Sequence, residues 1–201
     1  MSEHDNSTGN IRTKKALIRK EILAVRSAMT SEECAQRSRL ICEAFLKSSE
    51  YASADTILLY KAYNNEVDTD VIFDKAISDG KTVAYPRSRI VDGEPDLSFY
   101  VITDQSQLVS GYMGILEPDI RKGLTAFTGC ADICITPGVA FDRKCHRIGY
   151  GKAFYDRYIR LNSPGTVIGL AYDVQIADDF ETEECDSRLD KVITDKAVYS
   201  G

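Results

Sequence analysis

Between Ile11 and Met29 the apolar residues Leu17, Ile18, Ile22, Val25 and Met29 recur at helical spacing, which predicts an amphipathic helix. Arg12, Lys14, Lys15, Arg19, Lys20 and Arg26 take its other face, a pattern that by itself reads as a solvated surface. Thr30-Ser-Glu-Glu33 is a capping box. It opens a second helix to about Ser48, with Ala35, Leu40, Ile41, Cys42 and Phe45 directed to a core. Short apolar runs predict strands at 56–60, 81–86, 97–102, 132–136, 166–172 and 191–194. The third run alternates and reads as an edge strand, joined to the second across an Asp92-Gly93 turn, and Pro86 is expected to end the second. Further helices are predicted from about Thr69 to a stop at Gly80, and from near Gly151 through Phe154, Tyr155, Tyr158, Ile159 and Leu161. Strands alternating with helices imply the α/β class: one domain over residues 10–201, a three-layer sandwich with a mostly parallel sheet between helices. Residues 1–9 are polar and expected to form a disordered tail.

Composition narrows the partners. With 201 residues and 43% hydrophobic content, the chain can bury a full core as a single domain. A formal charge of −6 argues against nucleic acid or an anionic membrane as a bulk partner. No apolar run approaches the ~20 residues that span a bilayer, and the polar, acidic N-terminus has the pattern of neither a secretory signal nor a transit peptide. A cytoplasmic monomer is the expectation. Its six cysteines (34, 42, 130, 134, 145 and 185) lack Cys-x2-Cys spacing, so they read as reduced thiols rather than metal ligands or disulfides.

Candidate chemistry concentrates between Pro137 and Arg157. A buried strand, a turn bearing Gly149 and Gly151, and a helix follow one another there, an order that brings free backbone N–H groups to an anion. Arg143, Lys144, Arg147, Lys152 and Arg157 outweigh Asp142 and Asp156 in this window, against the acidic balance of the whole chain. Arginine, lysine, bare amides and a carboxylate together suit a magnesium–polyphosphate ligand. The stretch is neither a Walker A loop nor a dinucleotide-binding Gly-x-Gly-x-x-Gly, because Phe154 stands where the third glycine would be.

Pro137-Gly-Val-Ala-Phe141 followed by Asp142-x4-Arg147-Ile-Gly-Tyr-Gly-Lys-x-Phe-Tyr-Asp156-Arg157 closely resembles the signature of the 5-formyltetrahydrofolate cyclo-ligase family. Three further segments resemble that family in the same order: Lys15-x3-Arg19, Glu66-Val-Asp-Thr69, and Asp186-x3-Asp190-x3-Thr194. Gly114-Ile-Leu-Glu117-Pro118 resembles its stretch lining the pterin side of the pocket. The resemblance implies a fold like that of CoA transferases and sugar-phosphate isomerases. It also implies ATP- and Mg²⁺-dependent conversion of 5-formyltetrahydrofolate to 5,10-methenyltetrahydrofolate. In that assignment Lys15, Arg19, Arg147, Ile148, Gly149, Tyr150, Gly151, Lys152, Ala153, Phe154 and Tyr155 contact ATP. Lys61 and Glu66 contact the folate together with Tyr150, Gly151, Lys152, Ala153 and Phe154. Arg147, Lys152 and Glu66 are the catalytic set, and Asp156 and Asp186 hold the metal.

Cys145 and Ala153 depart from the family at positions where glycine is common, and Phe154 stands where tyrosine is common. The turn before Arg147 is therefore expected to manage without positive φ. His146 is expected to face solvent. Two competing readings are a non-catalytic folate- or nucleotide-binding paralogue and a phosphosugar isomerase or CoA-transferase-like enzyme. ATP consumption separates the last from a cyclo-ligase.

Overall fold

The structure is a computed structural model that describes residues 3–201, with side chains from residue 10 onward. In chain order it contains α1 (Glu3–Ser27), α2 (Ser31–Leu46), α3 (Ser49–Ser53), β1 (Thr56–Leu58), α4 (Asp70–Ser78), β2 (Thr82–Val91) and β3 (Glu94–Val101). There follow β4 (Leu108–Ser110), β5 (Leu116–Pro118), β6 (Ile133–Thr136), β7 (Ala140–Phe141), β8 (Arg147–Ile148), α5 (Phe154–Asn162), β9 (Thr166–Leu170), β10 (Lys191–Ile193) and β11 (Val198–Ser200). The seven-stranded sheet has the order β11-β10-β9-β6-β1-β2-β3. Its five central strands are parallel, and β3 and β11 close the edges antiparallel.

Alternation along each strand explains why these runs are apolar throughout. Ile57, Leu59, Val83, Tyr85, Ile133, Ile135 and Ile168 pack with Ile41, Phe45, Tyr51, Ile72 and Phe73 of α2, α3 and α4. The intervening Leu58, Ala84 and Cys134 pack with Tyr158 of α5. Successive side chains point to opposite faces of a sheet, so strands covered on both sides have no polar face to keep. The chain builds β2 and β3 to one side of β1 and then returns to place β6 on the other. The crevice beyond the carboxyl ends of β1 and β6 is therefore the switch point at which open α/β sheets bind ligands.

Several expectations are corrected. Helix α1 begins at Glu3; the disordered tail expected over 1–9 falls on residues 1 and 2, outside the described residues, and on turns whose backbone is helical. The face α1 buries is only partly the apolar one: Leu17 and Val25 are 57% and 48% exposed, whereas Lys15 and Arg26 are buried. Positions 15, 18, 19, 22, 26 and 29 share one side at 100° per residue, so three cations and three apolar residues enter together. Strand β2 runs through Pro86 to Val91. Ser88 donates its N–H away from β3 to Glu117 at 3.0 Å. Pro86, two residues earlier, points its missing N–H the same way and removes no bond to β3. The Asp92-Gly93 turn has φ of 52° and 83°, as a tight two-residue hairpin requires. Helix α5 starts at Phe154 rather than Gly151, because Gly151 and Ala153 both have positive φ. The hairpins β4–β5 and β7–β8 and the edge strand β11 escaped the apolar pattern, being two or three residues long.

Candidate functional site

The signature stretch forms the β7–β8 hairpin and the loop after it, with Ala140 opposite Ile148 and Phe141 opposite Arg147. Its turn is organised by Asp142, fully buried, which accepts the N–H groups of Lys144 and His146 at 2.9 Å each. His146 also places Nδ1 2.8 Å from the Asp142 carboxylate. It is thus a fixed partner of the turn rather than the solvent-facing residue expected. Positive φ is present after all: Cys145 adopts φ of 64° and Ala153 φ of 54°. An L-residue pays ~1–2 kcal/mol for that conformation. Cys145 is held in it by burial, which also pushes its thiol pKa up.

Beyond β8 the loop wraps around Arg147. This guanidinium donates to Asp156 at 2.8 Å and to the Pro137 carbonyl at 3.3 Å, and it lies 5.8 Å from the Tyr155 ring centre. Gly149 is required by contact: a Cβ there would stand 2.7 Å from Arg147 Nη1. From α1, Arg19 donates to the Gly149 carbonyl at 2.7 Å, and burial lowers its pKa. Lys15 donates to Glu183 at 3.2 Å and to Asp186. Lys152 is exposed at the same cavity.

Glu66 follows β1 and is 8% exposed. It accepts the Tyr150 hydroxyl at 2.9 Å and the Tyr63 N–H at 3.0 Å. Burial raises its pKa from 4.5 to about 7, against the opposing charge of Arg26 and these two hydrogen bonds. Lys61 lines the same cavity, but Asp70 takes its ammonium at 2.5 and 2.6 Å and Gln105 takes it at 2.7 Å. Tyr112 and Met113 reach the cavity from between β4 and β5, and the Tyr112 ring meets the edge of Phe154 at 6.1 Å.

A divalent cation has one cluster of donors among the described residues: a Glu183 oxygen, the Cys185 sulfur and an Asp186 oxygen all lie within 4.8 Å of one another. Two carboxylates suit a hard, oxygen-ligated ion that completes its shell with phosphate and water, and the thiol does not. Asp156 is adjacent rather than within the cluster. It pairs with Arg147 and accepts the Ser187 N–H at 3.2 Å, one residue from Asp186. Glu183 was hidden in sequence by the acidic run 178–186; its signal was the Glu183-x2-Asp186 spacing. Arg26 was hidden on the face read as solvated; its signal was Lys15-x3-Arg19-x6-Arg26, one side of one helix.

Lys15, Arg19, Glu66, Arg147, Asp156 and Asp186 open on one cavity of about 680 Å³ at the switch point. Lys15, Arg19, Arg147 and Lys152 contribute positive charge; Tyr60, Tyr112, Met113, Ile115 and Leu116 contribute apolar wall. Residues 11–195 match the 5-formyltetrahydrofolate cyclo-ligase family along their whole length. The chain belongs to that family. Among similar proteins of this cyclo-ligase family is the probable 5-formyltetrahydrofolate cyclo-ligase of Caenorhabditis elegans, 29% identical over 195 residues, covering 91% of this chain and 93% of that protein. Another is the 5-formyltetrahydrofolate cyclo-ligase of Escherichia coli, 29% identical over 178 residues, covering 87% and 96%. The structure is similar to that of Aquifex aeolicus 5,10-methenyltetrahydrofolate synthetase, with a TM-score of 0.78, 26% identity and 92% of each chain covered. Likeness to the Mycoplasma pneumoniae synthetase has a TM-score of 0.68 at 26% identity, over 90% of this chain and 98% of that one. No helix among the described residues is long and apolar enough to cross a membrane.

Proposed function

We propose that the protein is an ATP-dependent cyclo-ligase that converts 5-formyltetrahydrofolate to 5,10-methenyltetrahydrofolate, ADP and phosphate. The observation that supports this reading best is the sharing of one cavity by buried and half-buried cations and a buried carboxylic acid. Lys15, Arg19 and Arg147 suit a polyphosphate, and Glu66 suits a neutral or weakly basic amine.

The chemistry asks for both. A formamide is resonance-stabilised, as a peptide is, and its oxygen leaves poorly. Transfer of the γ-phosphoryl group to that oxygen gives an N5-formimidate phosphate and ADP. N10 of the same molecule then attacks the formyl carbon, the carbon–oxygen bond breaks, phosphate leaves with the formyl oxygen, and N10 gives up its proton. Attack within one molecule can contribute ~7–11 kcal/mol when the reacting atoms are well oriented. The protein's share is positioning and charge. Arg147 and the 149–151 amides cradle phosphate oxygens, Lys15 and Arg19 close from α1, and Lys152 neutralises from the exposed side. The Glu66 carboxylate takes the N10 proton. Its pKa of about 7 makes it a base that is available near neutrality and strong enough to hold the proton. Glu183 and Asp186 would hold Mg²⁺, with Asp156 beside them, and the ion when bound offsets phosphate charge.

Purified protein mixed with 5-formyltetrahydrofolate and Mg-ATP should give the near-ultraviolet absorbance of the methenyl product. A signal that persists without ATP, or folate binding with no turnover in its presence, overturns the reading.

A further inference from the structure

Arg26 has no part in the roles given above. It lies two helical turns beyond Arg19 on the same side of α1, and it is 1% exposed. Nη1 donates to the Gly138 carbonyl at 3.2 Å, and Nη2 donates to the Tyr150 hydroxyl. The guanidinium carbon sits 5.7 Å from the Tyr150 ring centre. That hydroxyl donates onward to Glu66 Oε1 at 2.9 Å. The backbone completes the arrangement: Asn65 donates its side-chain amide to the carbonyls of Arg26 and Met29 at 3.2 Å each. A charge at this depth is costly, and an apolar side chain could fill the space without that cost. Its Nε, moreover, is buried without a partner.

The other groups around Glu66 are phenols and amides. Tyr60 comes from the end of β1, Tyr150 from the loop after β8 and Tyr155 from α5, and burial keeps all three protonated. Tyr172, beyond β9, donates to the Glu66 carbonyl at 3.0 Å and is likewise held neutral. Arg26 is the charge that acts on the carboxylate from this shell.

We infer that Arg26 is a positioning residue: through the Tyr150 hydroxyl it aims the Glu66 carboxylate at the reacting amine and supplies the positive charge that keeps it a base. This rests on the proposed role of Glu66. The relay also ties the 149–151 loop to α1, so the phosphate and amine ends of the cavity are set by one helix.

The test uses full-length protein with Arg26→Met, Arg26→Lys, Tyr150→Phe and Glu66→Gln. Two quantities are read: the Glu66 carboxyl titration by ¹³C NMR, assigned by its loss in Glu66→Gln, and the acid limb of kcat/KM. In Arg26→Met both should move up by about one pH unit or more, the usual effect of losing a close opposite charge. Arg26→Lys should return them toward wild type, and Tyr150→Phe should move them in the same direction as Arg26→Met. A Glu66 titration unchanged in Arg26→Met overturns the proposal even if activity falls. Should Arg26→Met fail to fold, an unchanged titration in Tyr150→Phe overturns it instead. An acid limb that survives in Glu66→Gln removes Glu66 as the base, and the NMR titration separates that failure from failure of the Arg26 relay.

Discussion

Replacing Glu66 by glutamine should stabilise the protein above neutrality and leave it far less changed in acid. Burial raises the Glu66 pKa from 4.5 to about 7. A carboxyl group with a raised pKa binds its proton more tightly folded than unfolded. Its contribution is therefore fully present below about pH 4.5 and is lost as pH rises through about 7. A shift of about 2.5 units at 1.36 kcal/mol per unit comes to about 3 kcal/mol, of which about 1 kcal/mol is already lost at pH 5. Glutamine carries no such linkage. It can accept the Tyr150 hydroxyl, but its amide cannot accept the Tyr63 N–H at the same time. That mismatch costs the same at every pH. The quantity to measure is the stability difference between Glu66→Gln and wild type by urea unfolding at pH 5 and at pH 8. The variant should gain about 2.5 kcal/mol relative to wild type between the two. A difference that stays constant across this range would show that Glu66 titrates normally, and the base assignment would lose its physical support.

Gly149→Ala puts a Cβ 2.7 Å from Arg147 Nη1. Steady-state kinetics should show kcat/KM for ATP falling about 10–100-fold through misplacement of that guanidinium, with the thermal transition little changed. Ala153→Gly relieves a left-handed alanine on an exposed loop and should add up to ~1 kcal/mol in urea unfolding. Cys145→Gly relieves similar strain but deletes a fully buried side chain, so it should gain nothing or lose stability. Asp156→Asn should end ATP-dependent turnover while circular dichroism still reports a folded protein. Full turnover in that variant would remove Asp156 from the phosphate site.

The central strands, the second helix with its capping box and the order of the motifs were legible because each rests on a local pattern. Ile57, Val83 and Ile133 are apolar for a reason visible in five residues of sequence. Helix α1 was misread because periodicity ranks residues by hydrophobicity, whereas its burial is decided by what it meets. It meets acidic Glu183 and Asp186, the Gly138 and Gly149 carbonyls and the Tyr150 hydroxyl. Lys15 and Arg19 were singled out only through the family spacing, and Arg26 was not singled out. Lys61 lines the cavity, but its ammonium is held by Asp70, nine residues on in α4, and by Gln105, 44 residues away in sequence, and neither pairing has a periodic signal. The short hairpins around Arg147 and Tyr112 were invisible because two- and three-residue strands have no period to detect. Positive φ at Cys145 could not be read either. Sequence preference argues against it there, and only the closed Asp142 turn imposes it.

Phosphorylation of the formyl oxygen is the step on which the proposed mechanism depends, and isotope transfer tests it most directly. 5-Formyltetrahydrofolate labelled with ¹⁸O in the formyl group would be turned over with unlabelled Mg-ATP, and the released phosphate analysed by mass spectrometry. One ¹⁸O atom per phosphate formed is the expected result. Unlabelled phosphate, with the label lost to water, would mean that ATP is cleaved without activating the formyl oxygen and would contradict the mechanism.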